Sequence, residues 1–388
     1  MIGTPRQGHD DAPGGDDGAA GTPVTRHGPG EDGGPHPSLA FEPGDEDGWH
    51  RLARGYRLAG LLLSAHRMGL LRAFVDGGTH QIDELAHHLL ADPRLLVDIC
   101  RALRATGLLT QTDAGWRISE AGARLAGDPV AALELDAMAE DYQRWGELDR
   151  HARSLWRDGR TEPGTHGDAD VEHSEEAARR YARRLSNRRR LQAHRLIDHV
   201  EPTRPVTVLD AWGGDGYVAR EICAAWRQAT CTVLEIPTVA RTAREACAGH
   251  PRIAVIAGDL LRGDPATALG GATVDVVVLS HVLQSLTDQR RRELSTQVAR
   301  VLAPGGCLLS SEFVLRWDDR DSLDVLLWSV ARTSENWQGD ALRATQQDLL
   351  LRGNGLAAVA SWWVTQSTRA VLGVKPGAGV EPALRVRT

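Results

Sequence analysis

The stretch Val206-Thr-Val-Leu-Asp-Ala-Trp-Gly-Gly-Asp-Gly216 runs from a β-branched segment through an acidic residue and a glycine turn into a helical pattern. Such a stretch makes a strand–turn–helix unit whose glycines bring backbone close to a ligand at the carboxyl edge of a parallel sheet. Short apolar runs follow at Cys231–Leu234, Ile253–Ile256, Val274–Leu279 and Cys307–Ser311, with helical stretches between them. Strands alternating with helices give a doubly wound α/β sheet with helices on both faces. Ala357–Trp363 and Arg369–Val374 come after the last helical stretch and read as a closing antiparallel pair. Glu235 ends the second strand, 25 residues after Asp210, and Asp259 ends the third strand region. Together with Asp210, Trp212, Gly213, Gly214 and Gly216 they outline a nucleotide-type site, in which the second-strand carboxylate bonds ribose hydroxyls.

The N-terminal half has a different texture. Leu58, Leu61, Leu62, Ala65, Met68, Leu71 and Phe74 recur at helical spacing. A second helix opens in Thr79-His-Gln-Ile-Asp-Glu-Leu-Ala86, with Thr79 or Gln81 near its cap, and a third opens at Asp92-Pro93 and stops at Gly107. Leu108–Thr110 and Trp116–Ile118, joined by Asp113-Ala-Gly115, read as a hairpin. Three helices and a hairpin make a winged-helix domain. The expected organisation is a Gly/Pro-rich acidic tail over 1–48, a winged-helix domain over 49–130, a helical connector over 131–200, the α/β domain over 201–376 and a tail over 377–388.

Charge and composition exclude several function classes. The chain carries a formal charge of −7, and residues 1–48 alone hold ten Asp/Glu against Arg6 and Arg26. The rest is therefore close to neutral, which argues against bulk nucleic-acid binding. With twelve Gly and seven Pro, the first 48 residues bury too little apolar surface to order. Cys100, Cys223, Cys231, Cys247 and Cys307 are scattered without metal-ligand spacing and read as small buried hydrophobes; no metal is expected. No stretch is long and apolar enough for a membrane span, and no leader pattern opens the chain, so the expected compartment is the cytoplasm. The arginine-rich stretch Arg179–Arg195 reads as a solvated helix face.

Residues 55–375 resemble the small-molecule O-methyltransferases that use S-adenosylmethionine (SAM). The first domain matches at Ser64-Ala-His-Arg-Met-Gly-Leu-Leu71, Ile82-Asp-Glu-Leu-Ala86, Asp92-Pro93, Leu103-Arg-Ala-Thr-Gly-Leu-Leu109 and Ile118-Ser-Glu-Ala-Gly122. The second matches at Val208-Leu-Asp210, Glu235-Ile-Pro-Thr-Val239, Gly258-Asp259, Val282-Leu283, Leu302-Ala-Pro-Gly-Gly306 and Glu312. The resemblance implies a winged-helix dimerisation domain, a Rossmann-like domain and a substrate cavity between them. It also implies that Tyr142, Trp145 and Trp156, and on a second segment Leu327, Trp328 and Trp337, line that cavity. The chain's eleven Trp against three Phe fit a cavity for a flat substrate as well as ordinary core packing.

Three positions depart from the family's pattern. The first glycine of its Asp-x-Gly-Gly-Gly-x-Gly loop is Trp212, an indole where the family keeps no side chain. Its Val-Leu-His-Asp-Trp, whose histidine is the general base, is here Val282-Leu-Gln-Ser-Leu286, and the amide of Gln284 accepts no proton near neutrality. The carboxylate that orients that histidine is replaced near Gln346-Gln347, where Thr345-Gln-Gln-Asp348 reads as a helix capping box. His281, one turn before Gln284, is the nearest titratable replacement, and Asp215 in the glycine loop is a further candidate acid/base. Asp288 reads as a helix cap.

From these departures the first expectation is a natural-product enzyme that has lost methyl transfer and needs no cofactor. It would close a ring or eliminate a leaving group on a small-molecule intermediate by proximity, with Gln284, Ser285 and the Trp212 indole N–H as hydrogen-bond donors. The alternatives are a SAM-dependent O-, N- or C-methyltransferase, and a non-catalytic subunit paired with an active partner. Homodimers and heterodimers through the winged-helix domain both remain open. A DNA-binding regulator ranks below these, because Asp92 and Asp98 accompany Arg94, Arg101 and Arg104 on the third helix.

Overall fold

The computed structural model describes residues 25–27, 48–158, 171, 174–260, 262–315, 323–334 and 341–387. Within the first 47 residues only strand β1 (Thr25–His27) is described, and the disorder expected for the remainder lies outside the described residues. The N-terminal unit holds α1 (Gly48–Arg67), α2 (Ile82–Leu89), α3 (Pro93–Ala105) and the hairpin β2 (Leu109–Thr112)–β3 (Gly115–Ile118). Gln81 takes the α2 cap position, its backbone N–H donating to Glu84 Oε2 at 3.1 Å. Asp92 Oδ1 accepts from the Leu95 N–H at 2.9 Å and Pro93 opens α3, where its missing N–H costs nothing. Leu70, Phe74, Leu85, Leu96, Cys100, Leu103, Leu109 and Trp116 bury together under these elements.

Helix α4 (Glu120–Gly127) closes the N-terminal unit, and the connector follows as α5 (Pro129–Trp145), α6 (Leu148–Asp158) and α7 (Glu175–Asp198). Helix α5 packs on both α1 and α7, and α7 packs on the first helices of the α/β unit, so the connector joins the two halves along its length.

The α/β unit runs β4 (Val200–Pro202), β5 (Thr207–Ala211), α8 (Tyr217–Ala225), β6 (Thr230–Glu235), α9 (Pro237–Ala246), β7 (Ile253–Ala257), α10 (Pro265–Ala268) and β8 (Val274–Ser280). It continues through a 3₁₀ turn (Leu283–Ser285), α11 (Asp288–Val301), β9 (Leu302–Leu315), α12 (Leu323–Ser334), β10 (Leu342–Arg343) and α13 (Ala344–Gly353). Strands β11 (Ala357–Trp363), β12 (Thr368–Val374) and β13 (Leu384–Val386) complete it. The main sheet has the order β1-β11-β12-β9-β8-β5-β6-β7. Strands β5 to β9 are mutually parallel, and β12 enters antiparallel to both β9 and β11. After β5 the chain builds β6 and β7 on one side, then returns to place β8 on the other. The edge between β5 and β8 is therefore a topological switch point, where open α/β sheets hold their ligands.

Three expectations need correction. Residues 377–388 are not simply a tail: Leu384–Val386 pairs antiparallel with Val200–Pro202, and Ala383 and Leu384 are buried. Three residues carry too little alternation to announce a strand, and the pairing partner lies far away in sequence. The capping box assigned to Thr345 and Asp348 is not formed. Helix α13 starts earlier, Gln346 Oε1 accepts from the Arg343 N–H at 2.8 Å, and Asp348 pairs with Arg369 at 2.9 Å. The cap of α11 is Thr287 and not Asp288, whose carboxylate pairs with Arg291 at 2.9 Å.

Candidate active site at the switch point

Among the described residues only three non-glycines sit at left-handed φ: Leu90 (52°), Trp212 (56°) and His281 (57°). Leu90 ends α2 as its C-cap. The other two follow the carboxyl ends of the neighbouring strands β5 and β8 and so flank the switch point. Backbone in this region costs a bulky residue roughly 1–2 kcal/mol, and such cost collects at functional sites.

The β5 side is a glycine loop closed onto carboxylates. Asp210, at the end of β5, is buried and its Oδ2 accepts from the Ala219 N–H of α8 at 3.2 Å. A Cβ at Gly213 would stand 2.6 Å from that same oxygen, so only glycine lets the loop lie against it. Gly216, at φ +76°, starts α8. Glu235, at the end of β6, is buried; its Oε2 accepts from the Gly214 N–H and its Oε1 from the Ile236 N–H, each at 2.9 Å. The Gly258 N–H donates to the Glu235 carbonyl at 2.9 Å, which places Asp259 beyond β7 beside these groups. Three carboxylates thus stand at the ends of three adjacent strands.

Trp212 keeps the loop's backbone course, its N–H donating to the Leu234 carbonyl at 2.8 Å. Its side chain is 7% exposed and belongs to a large buried cluster that also includes Leu234, Leu260, Leu279 and Leu283. Asp215 is engaged at the start of α8: its Oδ1 accepts from the Tyr217 N–H at 3.0 Å and its Oδ2 pairs with Arg220 at 3.3 Å.

The β8 side carries His281, Gln284 and Ser285. Gln284 is 3% exposed, and its Oε1 accepts from the Phe313 N–H at 2.8 Å. The same oxygen lies 3.2 Å from His281 Nδ1. His281 Nε2 hydrogen-bonds Gln192 Oε1 on α7. The His281 ring meets Phe313 edge-on at 4.7 Å between centroids, and Phe313 in turn meets Trp328 at 5.3 Å. Ser285 is half-buried at the end of the 3₁₀ turn. Beneath the turn, fully buried Glu312 accepts from the N–H groups of Val282, Leu283 and Gln284 at 3.1–3.4 Å. Burial pushes its carboxyl up to about 7, against the pull of those three donors and of Arg291. Glu312, Phe313 and Gln192 were not singled out as site residues from sequence; only the first carried a signal, as a match to the family pattern.

The expected cavity residues divide. Trp328 reaches the His281 side through Phe313. Tyr142, on α5, packs against α1, its hydroxyl donating to the Tyr56 carbonyl at 2.9 Å and lying 2.9 Å from where a Cβ on Gly60 would go. Trp145 is partly buried near the end of α5. Leu327 and Trp156 are 41% and 91% exposed, so neither is enclosed within this chain, because each sits on the outer face of its helix. Trp337 lies outside the described residues.

A family model described as an O-methyltransferase domain matches residues 155–357. The chain belongs to that family. It is 26% identical over 304 residues to the phenazine O-methyltransferase PhzM of Lysobacter antibioticus, covering 74% of this chain and 87% of the relative. It is also 26% identical to the 3-hydroxy-5-methyl-1-naphthoate 3-O-methyltransferase of Streptomyces sahachiroi, covering 77% and 86%. Among solved structures, human N-acetylserotonin methyltransferase in complex with SAM superposes with a TM-score of 0.70 at 20% identity, over 87% of this chain and all of that one. The mitomycin 7-O-methyltransferase MmcR superposes with a TM-score of 0.73 at 20% identity, over 86% and 98%. These likenesses fix the fold: a helical N-terminal region followed by a class I methyltransferase core.

The comparisons overturn the first functional expectation. The relatives are named as O-methyltransferases, and nothing among them points to a ring-closing or eliminating enzyme without methyl transfer. The expectation of no cofactor falls with it. Its physical weakness was to treat Trp212 as decisive, although the carboxylates and the remaining glycines that make up the cofactor frame are all in place. The residues fit SAM: Asp210 and Glu235 offer acceptors to an amine and to ribose hydroxyls, Asp259 offers one beyond β7, and Gly213 and Gly214 keep the loop free of side chains.

Proposed function

We propose that this protein is a SAM-dependent methyltransferase acting on a hydroxyl group of a planar small molecule in natural-product biosynthesis. The observation that carries the proposal is the pairing, across one switch point, of a glycine loop with carboxylates on the β5 side and a buried imidazole on the β8 side. Bound SAM supplies an electrophilic methyl group. The protein's own part is to hold the acceptor in line, exclude water and take a proton. Asp210, Glu235 and Asp259 hold the cofactor, with Gly213, Gly214 and Gly216 shaping the loop beneath it. Phe313 and Trp328 offer apolar faces to a flat ring, consistent with the phenazine and naphthoate named for the relatives. His281 would accept the proton that the acceptor hydroxyl gives up on methylation.

A second copy, or a related chain, completes the assembly through the N-terminal unit. The family order supports this, as do the exposed apolar side chains of Tyr56, Leu58 and Met138 on α1 and α5. No helix among the described residues is long and apolar enough to cross a membrane.

Calorimetric titration with S-adenosylhomocysteine (SAH) tests the cofactor half of the proposal. Saturable binding to the unaltered protein is expected, weakened at least tenfold by Glu235→Ala, which removes charge-assisted hydrogen bonds. Absence of binding by both SAM and SAH would sink the proposal. A panel of hydroxylated bicyclic and tricyclic aromatics, scored by SAH release, then identifies the acceptor.

A further inference from the structure

Methyl transfer to a hydroxyl needs an acceptor for the hydroxyl proton, and the family's position for it is occupied by Gln284, which cannot serve. The hydrogen bonds around Gln284 show what it does instead. A backbone N–H can only donate, so the bond from Phe313 N at 2.8 Å fixes the end of the Gln284 amide that faces it as the oxygen. That oxygen is also the atom 3.2 Å from His281 Nδ1. An oxygen acceptor requires a proton on Nδ1. A neutral imidazole carries one N–H, so its lone pair then lies on Nε2.

On this basis, and resting on the methyltransferase proposal above, we infer that the proton-accepting atom is His281 Nε2. Gln284 is a positioning residue that fixes the Nδ1–H tautomer through the chain Phe313 N–H to Gln284 Oε1 to His281 Nδ1–H. The base has moved one turn back along the chain, and the residue left at its old position orients it.

Three further features fit this arrangement. The Glu312 carboxylate binds the N–H groups of Val282, Leu283 and Gln284, so the turn carrying the amide is held in register from below. The His281 backbone is held at φ +57°, its N–H donating to the Ser311 carbonyl at 2.8 Å, which fixes where the ring leaves the strand. Gln192 presents its Oε1 to Nε2. Carbonyl oxygens on both ring nitrogens are what an imidazolium requires, and that is the state of the ring once the proton has been taken. Nε2 has a single hydrogen-bonding site, so Gln192 must swing aside for a substrate hydroxyl to donate to the neutral ring, and its Oε1 returns to Nε2–H once the proton has been taken.

The test is the tautomer itself. The full-length protein, labelled with ¹⁵N-histidine, is examined by long-range ¹H–¹⁵N correlation, with the His281 signals assigned by their loss in His281→Gln. The neutral ring is expected to be protonated at Nδ1. In Gln284→Leu it is expected to shift to the Nε2–H form that a free imidazole prefers, and in Gln284→Glu, which keeps an acceptor, to remain Nδ1–H. An Nε2–H ring in the unaltered protein overturns the inference, and so does a tautomer unchanged in Gln284→Leu. If Gln284→Leu does not fold, the tautomer of the unaltered protein still decides. Titrating SAH into the same samples separates the two proposals: the tautomer is read with or without cofactor, whereas absence of SAH binding counts against the methyltransferase proposal. With an accepted substrate, Gln284→Leu is expected to lower kcat about 10²–10⁴-fold with KM little changed, and Gln284→Glu to restore most of it.

Discussion

Replacing Trp212 by glycine sets three physical effects against one another. The indole is 7% exposed within a large buried cluster, so deleting it removes a large buried side chain, a loss of roughly 3–5 kcal/mol. Added backbone freedom in the unfolded chain costs about 0.5–1 kcal/mol more. Against these, the residue sits at φ +56°, and glycine relieves about 1–2 kcal/mol of left-handed strain. The balance is a destabilisation of about 3 kcal/mol in the ligand-free protein. Cofactor affinity moves the other way. If SAH must displace an indole from the crevice, the free energy of re-exposing that side chain, about 1.5–3 kcal/mol, is subtracted from binding in the unaltered protein and not in the variant. SAH is then expected to bind Trp212→Gly about 10- to 100-fold more tightly. Ligand at 100 times its Kd contributes about 2.7 kcal/mol, so saturating SAH returns most of the lost stability. Denaturant melts with and without SAH, together with calorimetric titration, measure both quantities. A variant as stable as its parent and of equal SAH affinity would refute the reasoning, because the indole would then be neither core nor obstacle.

Two further outcomes follow from single groups. Glu312 is buried, and its carboxyl is raised from an ordinary 4.5 to about 7, so its folded value exceeds its unfolded one. The unfolded chain then binds fewer protons than the native state, and stability falls as pH rises from about 5 through 7, with a slope of at most ~1.4 kcal/mol per pH unit from this group. Glu312→Gln is expected to flatten that window in urea melts run at several pH values; an unchanged slope counts against the assignment. Lys375, the only lysine in the chain, donates to the carbonyls of Ala299 and Leu302 at 2.8 and 2.7 Å, at the C-terminal end of α11. Lys375→Met is expected to cost about 1–2 kcal/mol by leaving those carbonyls without a cationic donor, and a midpoint unchanged in chemical denaturation would contradict it.

Much of the fold was legible because its signals are local. The strand at Ala357–Trp363 carries its own apolar stretch ending in two tryptophans, and Asp92-Pro93 carries its own cap, so each is visible within a few residues. The pairing of Leu384–Val386 with Val200–Pro202 has no such local mark and emerges only when the chain closes. The site divides in the same way. Asp210, Glu235 and the glycines are written at fixed offsets from strand ends, whereas Gln192 lies in an arginine-rich helix whose pattern speaks only of a solvated face. Its bond to His281 spans 89 residues and depends on how α7 lies across the α/β unit. Asp215 shows the converse: a carboxylate inside the loop reads as chemistry from sequence, and its structural partners, the Tyr217 N–H and Arg220, come into view only with the fold.

Reading loss of activity from motif departures assumes that each motif position does its work alone. The turn after β8 shows why that assumption fails here. Its geometry is set from below: the Glu312 carboxylate holds the backbone N–H groups of Val282, Leu283 and Gln284, and none of these three contacts uses the side chain at position 284. A framework fixed by backbone tolerates exchange of the side chain it carries, and an imidazole one turn away, 3.2 Å from that side chain, lies within one hydrogen bond of the vacated role. The loop after β5 behaves likewise. Trp212 takes the left-handed backbone a glycine would take and leaves Gly213, Gly214 and the carboxylates where they are needed. Departures at such positions change how the proton and the cofactor are held. Chemistry is lost only when no neighbouring group can reach the same space, and the proposal gives that part on the β8 side to His281, whose Nδ1 lies 3.2 Å from Gln284 Oε1.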